Sequence, residues 1–134
     1  LASTRNAFGS VILLDCHSLP STIRPGSLAI GPDIVLGNQY GKSCSHGLIE
    51  EVERIFCASG YTVERNTPYA GGFVTNFYGK PECGYEVLQI EINRALYMNE
   101  QTFCRNRMFS KVKKDMTTLI KKVSERFLVD VAAE

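Results

Sequence analysis

"LQIEINRALYM", residues 88–98, opens on five residues that read as a buried β-strand, Leu88 to Ile92, with Glu91 set inside it. A carboxylate taken out of water is costly unless it is paired, hydrogen-bonded or bound to a metal. Side chains alternate along a strand, so Gln89, Glu91 and Asn93 share one face. Asn93 and Arg94 follow directly, and Arg94 is either a structural partner for Glu91 or a group with a task of its own.

Working outward, "EVLQIEIN" (86–93) is the fourth of four strand signals. "SVILLDCHS" (10–18) is an apolar run ending in polar residues, as a central parallel strand does. "DIVLG" (33–37) and "YTVERN" (61–66) are shorter candidates. Between them, Ser43 or Ser45 can cap a helix whose Leu48, Ile49, Val52, Ile55 and Phe56 form one apolar face, closed by Gly60. The last third reads as a helix with Phe109, Val112, Met116, Leu119, Ile120, Val123 and Phe127 on one stripe. Its lysines and Arg126 lie largely off that stripe and read as a solvated outer face, although a basic helix can also bind nucleic acid. Strands alternating with helices predict an α/β fold with a mostly parallel sheet. "TPYAGGFVTNFYGKPECG" (67–84) reads as a long functional loop.

The chain has 134 residues, 44% hydrophobic and 22% charged, with a formal net charge of +1, which fits one globular domain. That charge gives no argument for nucleic acid or for an anionic membrane, and no apolar run approaches the ~20 residues of a membrane span. Five scattered cysteines without a C-x-x-C pair predict reduced thiols in a cytoplasmic protein. "LASTRNAFG" reads as the tail of a helix with Gly9 as its cap. The absence of a starting Met suggests a segment upstream of Leu1.

Ligands of open α/β sheets gather at the carboxyl ends of strands. Here one strand ends in Asp15-Cys16-His17-Ser18 and another in Glu91-Ile92-Asn93-Arg94. Asp15 and His17 share a face, and a His and a Glu on neighbouring strand ends can serve as metal ligand and general base. The alternatives stay open: a structurally paired Glu and a core His. Cys16 and His17 point to opposite faces and form no dyad. A phosphate loop at Gly41-Lys42-Ser43 would need Gly at position 36, which is Leu36.

Four segments in order, "LLDCHSLPS" (13–21), "DIVLGNQYGKSCS" (33–45), "GYTVERNTPYAGGFVTNFYG" (60–79) and "LQIEINRALYMNE" (88–100), resemble the N-formylglutamate amidohydrolase (deformylase) family. The resemblance runs from about Gly9 to Glu100. It implies a three-layer α/β/α sandwich of the phosphorylase/hydrolase type, similar to the zinc carboxypeptidases, and hydrolysis of N-formyl-L-glutamate in histidine degradation. It implies zinc, with His17 as the last ligand and Glu91 as general base. Arg94 and Arg24 become candidates for the substrate's carboxylates, and Asn93, Asn66, Tyr69 and Thr75 candidates for hydrogen bonds to it, beside Gly71-Gly72.

Two positions depart from the family's pattern: Glu86 stands where a His is usual, and Asn38 where an Asp is common. The family's other zinc ligands precede everything here, and His46, at the start of a surface helix, is a poor substitute. The expectation is therefore a C-terminal part (1–134) of one amidohydrolase domain, carrying an incomplete site for a small N-acyl amino acid. A sheet edge left exposed would invite pairing with a second copy. Two other readings remain: a non-catalytic remnant or binding module of the same fold, and a hydrolase of another N-acyl amino acid.

Overall fold

The computed structural model describes residues 1–22 and 31–129. Helix α1 (Ala2–Phe8) ends at Gly9, whose φ of 79° is the left-handed cap conformation that glycine adopts without strain. Strand β1 (Val11–Leu19) follows, then β2 (Ile34–Gly37), α2 (His46–Ala58), β3 (Val63–Arg65), α3 (Phe73–Tyr78), β4 (Tyr85–Asn93) and α4 (Phe109–Val129). The sheet order is β1-β4-β2-β3. β1 runs parallel to β4 and β2 parallel to β3, while β2 and β4 are antiparallel. The mixed, mostly parallel α/β sheet expected from the pattern is what forms.

The two sides of β4 divide the molecule. Leu88 and Ile90 pack with Ile34 and Leu36 of β2 against Leu48, Ile49, Val52, Ile55 and Phe56 of α2, and Leu119 and Val123 of α4 join them. This apolar face fixes the register, because a slip of one residue would turn Glu91 into it. Ser45 caps α2: its hydroxyl accepts from Leu48 N–H at 3.4 Å. The alternative cap, Ser43, donates instead to the carbonyl of Val87 at 2.8 Å.

Two sequence expectations change. The stretch 67–84 is not structureless, since it holds α3 and a 3-10 turn at Pro81–Cys83; aromatic and β-branched residues with flanking glycines hide so short a helix. Ile120 is exposed, because the stripe of α4 that meets the core runs through Val112, Leu119 and Val123. β1 is an edge strand among the described residues. No helix among them is long and apolar enough to cross a membrane.

Glu51 ties α4 to α2. Its buried carboxylate accepts from Arg54 Nε at 3.0 Å and Nη2 at 2.7 Å, and from Arg126 Nη1 at 2.5 Å. The hydrogen bond from Arg54 holds the Glu51 carboxyl below its usual range against the opposing effect of burial, and Arg126 adds to the lowering. A depressed carboxylate stabilises the fold above its unfolded pKa of about 4.3, and this is lost as pH falls through the lower folded value. Denaturant titrations should therefore show Glu51→Gln about 1 kcal/mol less stable at pH 7 and flatter than the wild type between about pH 5 and 3. Equal midpoints at pH 7 would contradict this tie.

Candidate active site

The polar side of β4 gathers the chemistry. The parallel register sets Asp15 beside Gln89 and His17 beside Glu91, and the antiparallel register sets Val35 on the other flank of Glu91 and Gly37 beside Gln89. The face thus brings together Asp15, His17, Gln89 and Glu91, as the strand alternation predicts for each strand separately. Glu91 is only 8% exposed. Burial pushes its carboxyl above the usual range and Asp15 pushes the same way, while His17, Arg94 and the Gln89 hydrogen bond pull it back. The His17 side chain is 49% exposed, with Nε2 3.0 Å from Asp15 Oδ2.

Arg94 makes no ion pair with Glu91. It begins a 3-10 turn, Arg94–Leu96, and its Nε donates to Ser18 Oγ at 3.3 Å. The Arg94 guanidinium therefore acts on Glu91 by its charge across a distance rather than through a direct ion pair. Asn93 is buried, with Nδ2 donating to the carbonyl of Pro32 at 3.2 Å and Oδ1 accepting from Ala95 N–H at 3.1 Å. Arg24 lies outside the described residues.

Two loops stand over this face and lock each other. Asn66 Oδ1 accepts from the backbone N–H of Asn38 at 3.0 Å, and Asn66 Nδ2 donates to Asn38 Oδ1 at 3.0 Å. Asn38 Oδ1 also accepts from Gly41 N–H at 3.1 Å, so this side chain is satisfied within the two loops. Asn66, Gln39 and Tyr40 adopt positive φ of 59°, 53° and 55°; Asn tolerates this region better than most residues. Gln39 N–H donates to the carbonyl of Ala70 at 2.8 Å. Thr75 is fully buried at 0% exposure; it accepts from Gln39 Nε2 at 3.2 Å and donates to the carbonyl of Gly72 at 2.9 Å. Tyr69 is the loop residue of the expected set that stays exposed. The Thr67–Pro68 peptide bond is cis.

Glu86 holds the start of α2: its Oε2 accepts from Ser45 N–H at 2.8 Å and Oγ at 2.6 Å. His46 is exposed beside Glu50, with 3.2 Å between Nδ1 and Oε2. Among the described residues no three His, Cys, Asp or Glu side chains group closely enough to hold a metal ion. The residues present therefore do not fit a metal by themselves, and His17 is the one imidazole on this face. The sequence reading missed the partners Asn38, Gln39 and Ser18; it put Gln89 on the right face without giving it a partner.

Residues 1–98 match the sequence profile of the N-formylglutamate amidohydrolase family. The N-formylglutamate deformylase of Pseudomonas aeruginosa is 34% identical over 102 residues, which cover 75% of this chain and 38% of that protein. The enzyme of the same name from Pseudomonas putida is 35% identical over 100 residues, 72% of this chain and 36% of its own length. The crystal structure of N-formylglutamate amidohydrolase from Ralstonia eutropha JMP134 superposes with a TM-score of 0.87 at 37% identity, over 93% of this chain and 46% of that one. The chain thus spans less than half the length of each of these relatives.

The loop can lie so close to the sheet because Gly37 has no side chain. A Cβ there would stand 2.7 Å from Gly71 N and 2.8 Å from Ala70 C, both backbone atoms that cannot swing aside. Gly37→Ala should cost about 1–3 kcal/mol in denaturant titration and speed amide exchange at Gln39, whose acceptor is Ala70. An unchanged midpoint with Gln39 still protected would show that the loop is not seated as described.

Proposed function

This chain belongs to the N-formylglutamate amidohydrolase family, and from that premise we propose that it carries the proton-transferring part of a site that hydrolyses N-formyl-L-glutamate to formate and L-glutamate. The observation that carries the reading is Glu91: a nearly buried carboxylate on the polar face of β4, flanked by His17 and overlooked by the 66–75 loop. As general base, Glu91 takes a proton from the attacking water and returns it to the leaving amine. Burial raises its carboxyl above the usual carboxylate range, which makes it a better proton acceptor than an exposed acid.

Arg94, whose side chain makes one long bond among the described residues, to Ser18, is placed to offer further N–H groups to a substrate carboxylate. The Tyr69 hydroxyl adds a donor, Gly71-Gly72 let the backbone come close, and Arg24 is a further candidate cation. Asn66, Asn93 and Thr75 serve by holding the loops and the strand end. Zinc enters through His17: a catalytic zinc takes three protein ligands, so the others would come from outside the described residues. The proton path assigned to Glu91 does not pass through it. Five free thiols suit a reducing, cytoplasmic setting.

Formate release from N-formyl-L-glutamate, assayed on the gene product that carries this sequence, tests the reading. Glu91→Gln should lower kcat about 10²–10⁴-fold. Arg94→Ala should act chiefly on KM. A Glu91→Gln protein at the wild-type rate would remove Glu91 from the reaction, and cleavage of another N-acyl amino acid alone would overturn the substrate. A second reading is a domain that binds such a compound without cleaving it; binding without formate release would establish that one instead.

A further inference from the structure

Gln89 lies two residues before Glu91 on the same face of β4 and is 5% exposed. Both ends of its amide are engaged. Nε2 donates to Glu91 Oε1 at 2.9 Å, and Oε1 accepts from the backbone N–H of Gly72 at 2.9 Å. The chemistry fixes this orientation, because the reversed amide would set its oxygen against a carboxylate and its NH₂ against an N–H. The amide is planar, so the two bonds are not independent: wherever Gly72 holds the oxygen, the nitrogen is aimed accordingly.

Gly72 is in turn part of a continuous polar chain. Its carbonyl accepts from Thr75 Oγ1 at 2.9 Å, and Thr75 Oγ1 accepts from Gln39 Nε2 at 3.2 Å. Space around the chain is tight: a Cβ at Gly71, where φ is +118°, would come within 2.4 Å of Thr75 Oγ1. These contacts hold the loop in its seat, and in that position it aims Gln89.

We infer that Gln89 is a positioning residue. It fixes the orientation of the Glu91 carboxylate for proton transfer and makes that orientation depend on the seating of the 69–75 loop. The inference rests on the reading of Glu91 as proton carrier in N-formylglutamate hydrolysis. A purely structural strut would hold the loop without acting through Glu91.

Two variants separate the cases in the gene product that carries this sequence. Gln89→Met keeps the length of the side chain and removes both bonds; Gln89→Glu keeps an acceptor for Gly72 N–H and replaces the amide donor by a second carboxyl, so that the pair shares a proton and Glu91 is no longer a free base. Both should lower kcat about 10–100-fold, the usual effect of losing a partner that orients a reacting group, with KM changed less than about twofold. Amide exchange at Gly72 should accelerate in Gln89→Met and stay slow in Gln89→Glu, with the amides of the β2–β4 ladder unchanged in both. Added to Glu91→Gln, either change should have no further effect on kcat, since it acts through a group already removed. Wild-type kcat in Gln89→Glu, losses that multiply in the double variants, or unchanged Gly72 exchange in Gln89→Met would each overturn the inference. A wild type that releases no formate, or a Glu91→Gln protein that releases it undiminished, defeats the reading of Glu91 itself and this inference with it.

Discussion

Glu91 must keep its carboxylate nearly out of water within a four-stranded sheet, and the polar contacts on that face answer to this constraint. Desolvation of an acid is tolerated when donors are supplied or when its pKa rises. Both occur here: Gln89 donates one hydrogen bond, and burial raises the carboxyl. The position is not accidental, because the other side of β4 is a closed apolar core. Leu88 and Ile90 hold the register that turns Glu91 away from it.

The constraint extends to the loops. A face with a buried acid needs donors from above, and backbone can supply them only by coming close. Gly37 and Gly71 permit that approach, and the reciprocal Asn38–Asn66 pair holds the two loops in step. The charged groups outside the site do a different job. Glu51 with Arg54 and Arg126, and Tyr61 with Asp115 and Lys111, fasten α4 to the rest of the molecule. Tyr61 Oη donates to Asp115 at 2.6 Å, while its ring stands edge-on to Phe56.

Much of this is written locally in the sequence. Strand alternation puts Gln89, Glu91 and Asn93 on one face and Asp15 and His17 on one face; apolar spacing marks α2; Gly9 and Ser45 mark helix ends. What local pattern does not carry is which strands lie side by side. The pairing of His17 with Glu91 joins strands separated by most of the chain, and the antiparallel setting of β2 on β4 leaves no trace in composition. The same holds for partners such as Glu86 with Ser45, 41 residues apart, Asn66 with Asn38, 28 apart, and Arg94 with Ser18, 76 apart. Glu86 illustrates the difficulty: only the packing shows it as an acid stabilising a helix N-terminus, where negative charge is favoured.

The proposed function turns on the polar face of β4, under the 66–75 loop, receiving the substrate. Titrating N-formyl-L-glutamate into the isotopically labelled protein and following the backbone amide resonances tests it most directly. Saturable shifts should concentrate at residues 15–18, 69–72 and 89–94. Shifts confined to the cleft between α2 and α4, around Arg54 and Arg126, or their absence from the β4 face, would contradict it.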